Sequence, residues 1–85
     1  MDSQSPQASL ESIEARIIEH LRRIVGGSPQ PDDSLALIGV DSVAMAELTF
    51  ELEKNFNIRI DDEILDIDTI RELTHYVIAR QKEGR

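Results

Sequence analysis

The sequence predicts an all-α domain, a small bundle of three long helices and one short one. Three observations carry this reading. Apolar residues recur at spacings of three and four in three separate stretches, the period of a buried helix face. A length of 85 residues holds one domain with a modest core, burying roughly 60–65% of its unfolded surface. The only alternating stretch, Ile58-Arg59-Ile60, is too short for a strand and has no partner run.

The elements follow in order. Residues 1–8 are polar, contain Pro6 and read as a disordered lead-in. The domain is expected over residues 9–81. Ser9 is the expected cap of a first helix, and Leu10, Ile13, Ile17, Leu21 and Ile24 are its inner face. Gly26 and Gly27 end it, and Pro29 and Pro31 prevent an early restart. Residues 26–41 form a long connection carrying Leu35, Leu37, Ile38 and Val40, all expected to lie against the core. A second helix is expected from Ser42 to Phe56, capped by Asp41, with Leu48, Leu52 and Phe56 inward and Asn57 ending it. Asp61 is expected to cap a short helical turn through Leu65. Asp68 is expected to cap a last helix that buries Ile70, Leu73 and Val77, and residues 82–85 are expected to fray.

Composition narrows the function. Asp and Glu number 17 against 9 Lys and Arg, a net charge of -8. Such a surface repels nucleic acid and anionic membranes and favours partners with basic patches. There is no Cys, so disulfides and thiolate metal sites are excluded. No apolar run reaches membrane-spanning length, and the first residues lack a signal-peptide pattern, so the expectation is a cytoplasmic monomer.

The acids Asp61, Asp62, Glu63, Asp66 and Asp68 miss the calcium-loop register, because the fifth position is Leu65 or Ile70 and the turn Gly is absent. His20 and His75 stand on different helices outside any metal pattern and read as surface or half-buried histidines. No metal is expected. Ser42 is different. "GVDSV" is not the GxSxG elbow of a hydrolase, and so small a helical chain offers little room for a catalytic pocket. Asp41 already supplies the cap, so Ser42 can point outward from the first turn, a geometry that suits modification by another enzyme.

Gly39-Val40-Asp41-Ser42-Val43, the helix with Leu48, Leu52 and Phe56, the "FNIRI" after it and the terminal "TIRELTHYV" helix together resemble the acyl carrier and peptidyl carrier protein family. The resemblance covers residues 10–80. It implies an acyl-carrier-protein-like bundle in which Ser42 bears 4'-phosphopantetheine, transferred from coenzyme A by a separate phosphopantetheinyl transferase that reads Asp41 and Ser42. The arm's thiol would hold acyl or aminoacyl groups as thioesters, and the chain itself would have no catalytic residues. Implied partners are an acyl- or aminoacyl-loading enzyme and ketosynthase, acyltransferase or condensation-type enzymes. On the second helix Val43, Ala46, Glu47 and Phe50 share one face, the expected partner surface, and Ile64 is placed with them. An acyl cargo is expected near Val43, Ala46, Ile60 and Ile64.

The chain departs from the family's pattern at Leu37-Ile38-Gly39, where Asp-Leu-Gly is common, at Val43, where Leu is common, and at Asn57, where Gly is common. The first two bear on which transferase and partners read the site. Lys54 and Asn55 interrupt the acids at the end of the second helix, which favours a polyketide or nonribosomal peptide pathway over fatty-acid synthesis. The start at Met1 suggests a free-standing protein. Two other classes remain open, an unmodified acidic adaptor and a small Ser hydrolase.

Overall fold

The computed structural model describes residues 10–83. The lead-in, the Ser9 cap and residues 84–85 lie outside the described residues. Helix α1 spans Leu10–Val25, α2 spans Ser42–Phe56 and α3 spans Ile70–Glu83. The expected fourth helix is a single 3-10 turn, Asp62–Asp66. Helix α1 packs on both others, more extensively than α2 and α3 pack on each other.

The inner face of α1 is Ile13, Ile17 and Leu21, while Leu10 and Ile24 at its ends are half-buried. His20 belongs to the same stripe, three residues after Ile17, and is only 8% exposed. This corrects the surface or half-buried expectation for it. His75 is exposed. The helix ends on Gly26, whose φ of +80 suits a residue without Cβ and whose amide donates to the Arg22 carbonyl at 2.9 Å.

The long connection serves as a structural clamp. The amides of Ile70 and Arg71, unpaired in the first turn of α3, donate to the carbonyls of Asp33 and Pro31 at 3.2 and 2.9 Å. The Leu35 amide donates to the Asp68 carbonyl at 2.8 Å, beside a Ser34–Thr69 bridge. Leu35 is buried, and Ile38 and Val40 pack partly against the core. Leu37 does not: it is 87% exposed. Hydrogen bonds from Ile38 to Ser34, Gly39 to Ala36 and Val40 to Leu35 roll the segment into tight turns, which aim neighbouring side chains in different directions.

The cap of α3 is Thr69, one residue past the expected Asp68. Thr69 Oγ1 accepts from the Glu72 amide at 3.1 Å, and Glu72 Oε1 reaches back to the Asp68 amide at 2.9 Å. The helix continues to Glu83, past the expected frayed start, with Arg80 3.1 Å from Glu83. Ile70, Leu73 and Val77 are buried as expected, and Thr74 with them, its hydroxyl donating to the Ile70 carbonyl at 3.0 Å. Arg71 ties three segments, 3.6 Å from Glu14 of α1 and 3.3 Å from Asp32 of the connection.

Candidate functional site

Asp41 fixes the start of α2. Its backbone is extended, its Oδ1 accepts from the Ala44 amide at 2.9 Å, and its carbonyl accepts from the Met45 amide at 2.8 Å. Asn57 closes the helix with φ 56 and ψ 49, the left-handed conformation that Asn tolerates. Between these ends Ala44, Leu48, Leu52 and Phe56 are buried. The Arg16 guanidinium covers the Phe56 ring at 4.3 Å and donates to the Asn55 carbonyl, closing the far end of α2 onto α1.

With the inner face fixed, the outer one follows. Ser42, the first helical residue, is exposed, and its hydroxyl has no hydrogen-bond partner among the described residues. Among the described residues no base engages it, so the support a hydrolase nucleophile needs is not seen there. Val43, Ala46, Glu47 and Phe50 are all exposed, Phe50 to 62%, with Lys54 Nζ lying 5.7 Å from the centre of its ring. Ile64 does not join them. It is 4% exposed and sits in the core, because the 3-10 turn aims it inward and leaves Leu65 outside. The four residues expected around a cargo are likewise divided: Val43 and Ala46 face solvent, Ile60 is half-buried, and Ile64 is core.

The acid cluster has structural work. Asp61 caps the 3-10 turn through the Glu63 amide at 3.1 Å. Tyr76 donates its hydroxyl to Asp61 Oδ1 at 2.8 Å and accepts from the Asp61 amide at 3.1 Å. The Tyr76 hydroxyl, then the Glu63 amide, hold the Asp61 carboxyl below its ordinary range. Burial, with the same carboxylate alongside, pushes the Tyr76 hydroxyl upward. Among the described residues no group of His, Asp and Glu converges as a metal site. Also among them, no helix is long and apolar enough to cross a membrane.

What sequence reasoning missed is the setting of His20. It lies on the floor of an open groove of about 650 Å³ between α1 and α2, whose outer wall includes Ala46, Glu47 and Phe50. The signal was present in its spacing from Ile17 and Ile24.

Fold and site together define a small helical domain that holds outward, at the start of its second helix, a serine hydroxyl with no partner among the described residues. The family model described as the phosphopantetheine attachment site matches residues 15–77, and the chain belongs to that family. The prosthetic group of the family is 4'-phosphopantetheine. The solved structure of an acyl carrier protein from Thermotoga maritima is similar in fold. It is 22% identical, with a TM-score of 0.77, and the match covers 95% of this chain and 100% of that one. No curated protein matches the chain significantly.

Proposed function

We propose that this chain is an acyl or aminoacyl carrier whose 4'-phosphopantetheine arm is esterified to Ser42. The observation that supports this most is the division of labour at the helix start: Asp41 takes the capping role and leaves the Ser42 hydroxyl exposed. A phosphate ester there fits the residues present, since it would stand at the positive end of the α2 dipole without displacing a core group. In the loading step a bond forms between Ser42 Oγ and the phosphorus of the arm. The bond from that phosphorus to the nucleotide half of coenzyme A breaks, and the hydroxyl proton passes to a base of the transferase. When bound, the arm supplies the thiol that this Cys-free chain lacks, and with it thioester carriage.

The chain's own contribution is display and recognition. Val43, Ala46, Glu47 and Phe50 form the proposed partner face, in which the ring supplies contact area and the carboxylate steers a basic partner. The proposed partners are the transferase, a loading enzyme and condensing or acyl-transferring enzymes. The interruption of the acids by Lys54 and Asn55 favours a polyketide or nonribosomal peptide pathway over fatty-acid synthesis.

The test is the intact mass of the full chain after incubation with coenzyme A and a broad-specificity phosphopantetheinyl transferase. A gain of one phosphopantetheine on the peptide containing Ser42 is expected. An unchanged mass rejects the reading and leaves the unmodified adaptor, and a label elsewhere rejects Ser42 as the attachment point.

Phe50→Ala separates the partner face from the fold. A ring 62% exposed contributes little to the core, so the variant should melt within a few degrees of the parent. A buried Phe would cost about 3–5 kcal/mol on truncation. Loading by the cognate enzyme should slow, and unchanged loading would remove Phe50 from the partner face.

A further inference from the structure

We propose that His20 is a pH-driven switch in the seam between α1 and α2, exchanging Arg23 for Glu51 as the partner of its Nδ1 atom and thereby resetting the groove beside Phe50. The switch itself does not depend on an arm at Ser42; only its consequence for docking rests on the carrier reading.

The geometry sets two partners of opposite character around one atom. His20 Nδ1 lies 3.4 Å from Arg23 Nη1, a donor, and 3.6 Å from Glu51 Oε1, an acceptor. A neutral imidazole protonated on Nε2 has a lone pair on Nδ1, which accepts from Arg23. Protonation makes both ring nitrogens donors, so that bond cannot persist. The charged ring then repels Arg23 and is drawn to Glu51 on the opposite helix. One proton therefore moves a contact from within α1 to across the seam.

The surroundings set the direction. The ring is buried, and α1 presents Arg16, Glu19 and Arg23 to it while α2 presents Glu51. Lys54 and Glu47 of α2 line the adjoining grooves. Burial opposes the charged ring most, Glu51 favours it, Arg23 and Arg16 oppose it, and Glu19 favours it. The balance lowers the pKa of His20 from its ordinary value of 6.5. A base whose pKa is depressed by folding binds its proton more readily when unfolded. Its stabilising contribution is thus fully present above 6.5 and is lost as the pH falls through the folded value below it. At neutral pH the ring's contact stays within α1, to Arg23, and under acid it passes across the seam to Glu51.

The readout at the surface follows from the chain. Glu51 is the residue after Phe50 and lies one turn beyond Glu47, on the same wall of the groove. Drawing Glu51 towards a charged His20 displaces that wall.

The experiment follows the His20 ring nitrogens and the backbone amides of the full, unmodified chain by NMR as the pH is lowered from about 8 to 5. The neutral ring should carry its proton on Nε2. The amides of Ala46 and Phe50 should move with the midpoint of His20 and not with that of exposed His75. Arg23→Gln should raise that midpoint and Glu51→Gln should lower it. In His20→Gln the amide movements at that midpoint should vanish; should that variant fail to fold, the two seam variants still decide. A neutral ring protonated on Nδ1 overturns the proposal. So do groove amides that ignore His20, or midpoints that do not move in opposite directions in the two seam variants. The carrier reading is tested separately by mass, so failure of one is distinguishable from failure of the other.

Discussion

Ser42→Ala is expected to accept no phosphopantetheine from coenzyme A under any loading condition, while keeping the melting curve of the parent. Both halves come from the helix start. The hydroxyl is the atom that would receive the phosphorus, so its removal leaves nothing to esterify and the loss is complete. For the fold the same hydroxyl is dispensable. It is exposed and has no partner among the described residues, and the amide of Ala44 is satisfied by Asp41. The stability change should stay within about 0.5 kcal/mol. Asp41→Ala is the informative contrast, since it removes the cap and should cost about 1 kcal/mol. Intact mass and thermal melts of the two variants check the pair. Residual labelling of Ser42→Ala would move the attachment point elsewhere, and an unfolded Ser42→Ala would assign the hydroxyl to the fold.

The helix faces were legible because each long helix repeats its apolar residues often enough to fix its rotation. Leu48, Leu52 and Phe56 set the inner face of α2 and thereby the exposure of Phe50, three positions of one sequence determining a fourth. The cap at Asp41 and the stop at Asn57 were legible for a similar reason, being local matters of one side chain and one backbone conformation. The errors fall where local information ends. The turn Asp62–Asp66 is too short to have a period, so nothing in "DEILD" says whether Ile64 or Leu65 turns inward; contact with the bundle decides it. Asp68 and Thr69 are both competent caps. The choice between them was made by the connection, which binds the Asp68 carbonyl through Leu35 and aligns Ser34 with Thr69. The apolarity of Leu37 suggests core, but in a tightly turned segment apolarity does not fix direction. The serine itself was legible as a residue with no other task, and its chemical meaning came from the family pattern around it.

Leu52→Ala should produce a large loss of stability and carry the site down with it. Leu52 is 0% exposed and sits mid-helix between Leu48 and Phe56, in the cluster shared with α1 and α3. A Leu→Ala change at such a position costs about 2–5 kcal/mol, because a cavity adds to the lost transfer energy. Total stability for a domain of 85 residues is roughly 4–13 kcal/mol, so this is a large share. The melting temperature should fall by roughly 10–25 °C. Leu37→Ala deletes the same atoms from a side chain 87% exposed and should change stability by no more than about 0.5 kcal/mol. The comparison isolates burial from residue type. Function should follow stability in one case only. Ser42 is the first residue of α2, so loosening the packing of that helix also loosens the Asp41 cap that presents the hydroxyl. Transfer of the arm to Leu52→Ala should therefore decline near its lowered melting range and recover on cooling, whereas Leu37→Ala should show no such temperature break. A Leu52→Ala protein that melts within a few degrees of the parent would mean that α2 is not anchored by its inner face, and the display of Ser42 would then need another explanation.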